Sequence, residues 1–367
     1  MTERESLMAL SRISYAGMPI LHKIVDFTDG ARGFFCSTRE RIEKMCSLLK
    51  INDHIKATLL DVHKNPDIPG ILALMEKEEL RFITEEDNEY PEKLKEIFSP
   101  PLYLYVRGDL NKCEKSVAII GSRNCSFYGR EVAVSFGKIF ASNGINVVSG
   151  MAKGVDGYAH IGALEGEGHT TAVLGFGHCE CYPAEHRTLK NRIEKSGCLI
   201  SEYHPLVRSD RLHFPARNRL IAALADCLVV VEAAIKSGTI ITVDFALSLG
   251  RNIYAVPGRI GDPLSEGCIE LIKHGCRPVT DPGEVLSDLG YFVKKSVSKK
   301  IKNPLDLKQK IVYSNVDLIP RTTEEILSGT GLETTEGLRA LFTLELNGFI
   351  KQPVTGTYIR NVEDYYG

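Results

Sequence analysis

The regular alternation of strands and helices between residues 117 and 258 constrains the fold of this chain more than any other feature. Apolar runs at residues 117–120, 145–148 and 227–231 are each followed by a polar turn with glycine and then by a helical pattern. Such alternation predicts an α/β fold with an extended, Rossmann-like, doubly wound and mostly parallel sheet. Ligand-binding loops of such sheets lie at the carboxyl ends of the strands, so we expect the three turns to share one edge.

Each of these turns precedes a helix, and the first backbone N–H groups of a helix lack intrahelical partners. The helix dipole also favours anions there, so the turns predict several phosphate-sized sites along one edge. The turns are Gly121-Ser122-Arg123, extended by Ser126; Gly150 to Asp156, with Ala152, Lys153 and Gly154; and Lys236-Ser237-Gly238-Thr239. Arg123 suits phosphate because its planar guanidinium can bond two oxygens, although a tight turn with a solvated arginine would look the same.

Two further segments carry candidate site residues. Phe214-Pro-Ala-Arg217-Asn218-Arg219 opens a helix that runs to about residue 225. Residues two apart lie on different faces of a helix, so Arg217 and Arg219 either serve two phosphates or serve one phosphate and one internal partner. Asp156 and His160, one turn apart, look like an acid–base pair, but no nucleophile lies at recognisable spacing. We therefore expect Asp156 to cap the helix and hold His160, while the turn contacts phosphate.

Several nucleotide and metal sites are excluded by their spacing. The Gly-x-x-x-x-Gly-Lys-Ser/Thr order is absent, and Glu180 stands where a dinucleotide fingerprint begun by Gly175 and Gly177 needs its third glycine. The cluster at residues 178–181 has no second cysteine pair at ligand spacing. We expect neither a cofactor nor a metal.

Composition limits the partners and the compartment. The formal net charge is −2, so any nucleic acid must be met by local positive charge. Ten cysteines lack framework spacing, the N-terminus lacks a secretory pattern, and no run of about 18 apolar residues occurs. These features predict a cytoplasmic protein with reduced thiols and no membrane span.

Domain organisation follows from shifts in pattern. Residues 1–75 predict a small helical domain, similar either to the SAM or helix-hairpin-helix units that touch DNA or to a plain bundle. A Rossmann-like domain is expected over 76–292, with its core at 108–289 after an irregular connector, and a lysine-rich linker over 293–304. Residues 305–367 predict a winged-helix-like domain. Its recognition helix carries two glutamates beside Arg339, which favours protein contact or self-association over duplex reading.

The central block resembles the DNA-processing protein A family, also called Smf. Seven motifs carry the resemblance in the family's order: Ala118–Arg123, Ser149–Asp156 with His160, Tyr182-Pro183, Ser201-Glu202, Phe214–Arg219, Lys236–Thr239 and Val256–Gly258. The resemblance implies a bacterial single-stranded DNA-binding protein, without catalysis, that hands incoming strands to the RecA recombinase in natural transformation. It also implies a homodimer and single-strand-binding protein as a further partner.

By this resemblance and the reading of the turns, a set of residues is expected to bind nucleic acid. The set is Gly121, Ser122, Arg123, Ser126, Gly150, Ala152, Lys153, Gly154, His160, Arg187, Phe214, Arg217, Asn218, Arg219, Lys236, Ser237, Gly238 and Thr239. Phe214 and Tyr182 are the preferred candidates for base stacking. Some relatives carry a basic residue after the Tyr-Pro pair where this chain has Ala184, and Arg187 or Lys190 is expected to replace that charge.

An enzyme is the competing interpretation. Phosphoribohydrolases of the lysine-decarboxylase-like type have a related fold and carry the pattern Pro-Gly-Gly-x-Gly-Thr-x-x-Glu, in which the glutamate is the catalytic acid. In this chain Thr242 occupies the position of that glutamate, which argues against nucleotide-processing chemistry.

Overall fold

The computed structural model describes residues 1–110, 112–291 and 305–361. Its helices are α1 (Glu3–Leu10), α2 (Met18–Phe27), α3 (Ala31–Cys36), α4 (Arg39–Leu48), α5 (Asp53–Lys64), α6 (Ile68–Lys77), α7 (Phe127–Ser142), α8 (Val155–Glu165), α9 (Arg187–Ser196), α10 (His213–Leu224), α11 (Gly238–Ser248), α12 (Glu266–Lys273), α13 (Pro282–Asp288), α14 (Leu307–Asn315), α15 (Thr323–Ser328) and α16 (Thr334–Leu346). Its strands are β1 (Arg81–Thr84), β2 (Tyr103–Gly108), β3 (Ser116–Ile120), β4 (Asn146–Ser149), β5 (Thr170–Val173), β6 (Cys198–Ser201), β7 (Cys227–Val230), β8 (Asn252–Ala255), β9 (Arg277–Pro278), β10 (Arg321–Thr322), β11 (Ile350–Lys351) and β12 (Thr357–Arg360).

The main sheet confirms the predicted α/β class. In the described part of the chain its strand order is β1-β2-β6-β5-β4-β3-β7-β8-β9. In this order, all neighbouring strands between β6 and β9 pair in parallel. The pairs β1–β2 and β2–β6 are antiparallel. The chain leaves β3 in one direction through β4 to β6 and resumes on its other side at β7. The order therefore reverses at β3, which opens a crevice between the loops that follow β3 and β7.

Both faces of the parallel sheet are buried. On β3, Val117 and Ile119 pack in the cluster that contains α7 and α8, while Ala118 and Ile120 pack in the cluster that contains α10 and α11. A strand that is covered on both sides needs an unbroken apolar run, which is the pattern the sequence shows. Three layers result, and the loops at the strand ends are held by well-packed elements.

The prediction of an irregular connector before the core of the sheet domain was wrong in one respect, because strand β2 lies within that segment. Prolines 91, 100 and 101 lie outside this strand, and residues 103–108 form ladders with both β1 and β6. Tyr103 and Tyr105 face the N-terminal helices, whereas Leu104 and Val106 face the main core. Burial on both faces removed the polar alternation that would have marked the strand.

Helices α1 to α6 form the predicted helical unit, and they share a core with the sheet. Phe82, Tyr103 and Tyr105 on β1 and β2 pack with Leu10, Ile13 and other apolar residues of this unit. Tyr105 Oη lies 2.7 Å from Ser11 Oγ, so its polar end is satisfied within the core. A role of this unit in DNA contact stays a prediction.

The C-terminal residues form a separate small core. Helices α14, α15 and α16 pack with a small antiparallel sheet of order β10-β12-β11 around Ile326, Leu341 and Ile350. Strand β12 lies in the middle of this sheet, and β10 and β11 are its edges. The winged-helix assignment and the domain boundaries stay predictions, and the predicted linker at 293–304 lies outside the described residues.

None of the helices within the described residues combines the length and apolar character that crossing a bilayer requires.

Candidate nucleic-acid interface

The crevice at the reversal point of the sheet holds a cavity of about 440 Å³, which we call the edge cavity. Its lining comes from the loops after β3, β4 and β7 and from the starts of α10 and α11, as the strand order requires. The predicted site residues that line it are Gly121, Ser122, Arg123, Ala152, Phe214, Arg217, Asn218, Ser237, Gly238 and Thr239. The predicted residues outside the lining are Ser126, Gly150, Lys153, Gly154, His160, Arg187, Arg219 and Lys236.

The start of α11 borders this cavity and is not capped by any side chain. Ser237 is the N-cap, yet no side chain caps the helix start, and Ser237 Oγ is buried without a partner among the described residues. Gly238 is exposed, and a Cβ added to it would meet nothing within 4 Å. Helix geometry leaves the first N–H groups of α11 without intrahelical acceptors, and the dipole adds positive potential. This corner can therefore receive a phosphate oxygen.

The start of α7 is already filled by a carboxylate of the protein. Glu232 accepts hydrogen bonds from Ser126 N–H at 2.8 Å and from Ser126 Oγ at 2.5 Å. The Ser126 hydroxyl also accepts from Gly129 N–H at 3.0 Å, and a Cβ on Gly129 would lie 2.4 Å from the Glu232 carboxylate. Burial raises the pKa of Glu232. The prediction that every turn offers open N–H groups is wrong here, because Glu232 occupies that position.

The turn before α8 is occupied in the same way by Asp156. Its carboxylate accepts from Gly150 N–H at 3.1 Å, whereas the N-cap of α8 is Gly154, which has no side chain to bond. His160 is fully buried, and its Nδ1 lies 2.6 Å from Thr170 Oγ1. Burial lowers the pKa of His160 to about 3. The predicted cap-and-histidine pair is therefore wrong, since each side chain serves a different internal partner, and His160 is not brought to the cavity.

Arg217 lies in the cavity wall but is tied to the backbone. Its Nη1 donates to the carbonyl of Gly150 at 2.7 Å and to the carbonyl of Val173, and only 3% of the residue is exposed. Burial lowers its pKa to about 10, while nearby Asp156 raises it, so the guanidinium remains charged at neutral pH. Arg217 thus joins the ends of β4 and β5, and we treat it as a positioning residue.

Arg219 faces away from the edge cavity. It forms a buried ion pair with Glu202 and lines a different cavity, so the structure does not bring it together with Arg123. Neither predicted arrangement of the two arginines is correct. They were expected to bind two phosphates, or one phosphate and one internal partner, but Arg217 and Arg219 both have internal partners. Burial was the property that helical spacing did not reveal.

The remaining predicted cations differ in availability. Lys153 is half exposed and its Nζ lies 2.9 Å from Glu185. Arg187 and Lys236 are exposed. Lys190 is buried and donates to the carbonyl of His178 at 2.6 Å, so of the two residues expected to replace the charge absent at Ala184 only Arg187 is exposed. His186 Nδ1 lies 3.0 Å from the carbonyl of Met151, which places the start of α9 against the loop after β4.

An aromatic surface borders the cavity. The Arg123 guanidinium carbon lies 5.3 Å from the Phe214 ring centroid, and the Tyr182 and Phe214 rings are 5.3 Å apart. Tyr182 is 44% exposed and Arg123 is exposed. Phe214 is partly buried, and together with the exposed Tyr182 beside a cation it can offer stacking faces to bases. Other aromatic residues near the turns, Phe176 and Tyr203, are buried.

Sequence reasoning missed Glu232 and, as cavity-lining residues, Asn124, Ile221 and Leu264. A usable signal existed for Glu232, because a glutamate directly after the apolar run of β7 lies at the ligand edge of the sheet. Among the described residues, no cluster of three or more histidine, cysteine or acidic side chains is arranged to hold a metal ion.

Comparison with known proteins agrees with this fold. The model of the family described as DNA recombination-mediator protein A matches residues 81–290. DNA processing protein DprA of Bacillus subtilis (strain 168) is 34% identical over 245 residues, covering 65% of this chain and 82% of that protein. Protein Smf of Escherichia coli (strain K12) is 33% identical over 302 residues, covering 80% of each chain.

Two solved structures extend the similarity. DNA processing protein A from Streptococcus pneumoniae superposes with a TM-score of 0.64 at 32% identity, covering 78% of this chain and 98% of that one. DNA processing protein A from Helicobacter pylori, described for its unique single-stranded DNA binding mode, gives 0.53 at 28% identity, covering 59% and 99%. The matched family model spans more than half of this chain and relatives above 30% identity are covered over most of their length, so the chain belongs to the DNA recombination-mediator protein A family.

Proposed function

We propose that this protein binds single-stranded DNA in the edge cavity. The observation that carries the proposal is the meeting, in one cavity, of the exposed Arg123, the uncapped start of α11 and the bordering rings of Phe214 and Tyr182. A single strand presents phosphates and unstacked bases together, so it needs positive potential beside stacking faces. The H. pylori relative, described for its single-stranded DNA binding mode, supports the same assignment.

In this proposal Arg123 and the amides of residues 237–239 contact phosphate, and Asn218 adds an amide donor. Asn218 Nδ2 lies 3.5 Å from the Gly238 carbonyl, so it borders the open helix start. The exposed cations Lys153, Arg187 and Lys236 extend the positive surface beyond the cavity. Arg217, Glu232 and Asp156 hold the loops in place.

We propose further that the protein is not an enzyme. The phosphoribohydrolase alternative needs a free carboxylate, and Thr242 stands in the corresponding place on the wall. Asp156 is the one acidic residue in the described cavity lining, and its carboxylate is buried and bonded to a backbone N–H. A carboxylate engaged in this way is a poor general acid or base for a ligand outside.

We also propose that the protein acts as a cytoplasmic homodimer that hands incoming strands to the RecA recombinase in natural transformation. Family membership and the implied strand binding support this role. Single-strand-binding protein would compete for the same strands.

Oligonucleotide binding tests the primary proposal. Fluorescence anisotropy with dT oligonucleotides of increasing length should show affinity that rises over several nucleotides, with single strands preferred to duplexes of equal length. Tight binding of a free mononucleotide, with release of base and ribose phosphate, would contradict it and favour the enzyme.

A recombinase-loading assay tests the second step. RecA filament formation on strands already covered by single-strand-binding protein should accelerate when this protein is added. An unchanged rate, despite intact strand binding, would overturn the loading role alone.

A further inference from the structure

A second cavity lies between the N-terminal helices and the sheet domain, and we call it the α10 cavity. It has a volume of about 340 Å³, within the roughly 300–1,000 Å³ range of small-molecule sites. Met18, Ile97, Tyr203, Phe245 and Leu249 supply apolar walls. Helix α10 contributes Arg219 to this cavity and Arg217 to the edge cavity, so the two sites lie against the same helix without sharing a lining residue.

The α10 cavity contains an incompletely satisfied polar group. Glu202 and Arg219 both line it, and the Arg219 side chain is only 10% exposed. Arg219 Nη2 donates to Glu202, whereas its Nη1 is buried without a partner among the described residues. Ser99 Oγ, also in the lining, is likewise buried without a partner there. A buried donor without an acceptor is unfavourable, so a group that supplies an oxygen at this place would be stabilised.

The chemistry of the walls selects the kind of molecule. The Glu202–Arg219 pair is neutral as a whole, so a second full charge would be buried without a counter-charge. An uncharged acceptor meets the Nη1 donor without that cost. Phe98, in the lining, is 94% exposed and leaves an apolar ring uncovered.

We propose that the α10 cavity is a second ligand site, distinct from the strand-binding cavity, for an uncharged and largely apolar small molecule that carries a carbonyl oxygen. The ring or chain of the ligand lies against Met18, Phe98 and Phe245. Its carbonyl oxygen accepts from Arg219 Nη1.

A pair of probes of the same shape tests the site. In a saturation-transfer NMR titration of the full chain, 2-acetylnaphthalene should bind saturably with one site per chain. The hydrocarbon 2-ethylnaphthalene should bind about threefold to tenfold more weakly, because it lacks the acceptor. No saturable binding of the ketone, or equal affinity for both compounds, would overturn the proposal.

Variants locate the bound probe. Ser248 is an exposed lining residue on α11, so Ser248→Trp should fill the rim and abolish probe binding. Leu247→Trp is the matched control, because Leu247 is a 56% exposed neighbour outside the lining. Circular dichroism and dT oligonucleotide affinity should be unchanged in both. Probe binding that survives Ser248→Trp, or that dT oligonucleotide displaces competitively, would contradict the site.

A double variant tests the donor. Glu202→Met with Arg219→Met removes both members of the buried pair and replaces them with apolar side chains of similar size, which avoids an isolated charge. The preference for the ketone over the hydrocarbon should disappear while the hydrocarbon still binds. A preference that persists would show that Arg219 is not the donor and would overturn its assignment.

Discussion

Arg217→Met should destabilise the fold, and only through the fold should it weaken DNA binding. In the native state Arg217 Nη1 donates to the carbonyls of Gly150 and Val173. Burial raises the pKa of Asp156, and the charge of Arg217 lowers it, so Arg217 stabilises the ionised carboxylate. Methionine fills similar space but leaves both carbonyls without this donor and Asp156 without its cation. Removing one member of a buried charged network costs about 3–5 kcal/mol. We expect the free energy of unfolding to fall by that amount.

Urea denaturation monitored by circular dichroism measures this loss, with an unchanged m-value showing that the comparison is valid. Arg123→Met is the control, because Arg123 is exposed and its replacement should change stability by about 0.5 kcal/mol or less. A second variant, Asp156→Asn with Arg217→Met, should recover part of the loss because it removes both charges. If Arg217→Met instead keeps its stability within about 1 kcal/mol and loses strand affinity, Arg217 contacts the DNA directly and the positioning role is refuted.

Three further outcomes are expected. Phe214→Leu should weaken oligonucleotide binding by about 1–3 kcal/mol in anisotropy titrations, because a stacking face for a base is lost. The slope of log affinity against log salt should stay unchanged, because no charge is removed. A changed slope would contradict a stacking role for Phe214. Gly154→Ala should lower the free energy of unfolding by at least about 1 kcal/mol more than Gly144→Ala does. Both glycines have positive φ, but only at Gly154 would an added Cβ lie 2.2 Å from a backbone oxygen, the carbonyl of Ser122. Equal losses of stability in the two variants would refute this reasoning. Burial lowers the pKa of His160 to about 3, so the folded protein binds this proton less readily than the unfolded chain does. The free energy of unfolding should therefore be unaffected by this group above pH 6.5 and should fall by about 1.4 kcal/mol per pH unit as the pH drops from 6.5 towards 3. In urea titrations His160→Gln should show a shallower fall in stability with acid, and a fall as steep as that of the wild type would contradict this prediction.

The fold class followed from the sequence because local pattern and topology agree in this chain. Apolar runs bounded by glycine turns located β3, β4 and β7, and the alternation with helices led to the parallel sheet. The edge cavity followed for the same reason, since parallel strands must bring their carboxyl ends together. β2 was missed because its two faces are both buried and prolines precede it.

The occupants of the helix starts could not be predicted from local sequence. Ser126 and Glu232 are bonded across 106 positions, and Gly150 meets Arg217 across 67. A turn with free N–H groups and a turn filled by a distant carboxylate have the same local residues, and only the tertiary fold distinguishes them. The burial of Arg217 and Arg219 could not be predicted for a similar reason. Arginine is mostly exposed in proteins, so a helix start rich in arginine is expected to lie on the surface.

The salt dependence of dT oligonucleotide binding tests the central claim most directly. A plot of log affinity against log salt should be shallower by about 0.7 for Arg123→Met than for the wild type, because one phosphate contact is lost. Arg130→Met is the matched control, since Arg130 is exposed on α7 outside the edge cavity, and it should keep the wild-type slope. Equal slopes for wild type and Arg123→Met, or an equal loss in both variants, would contradict a strand-binding site built on Arg123 and the open start of α11.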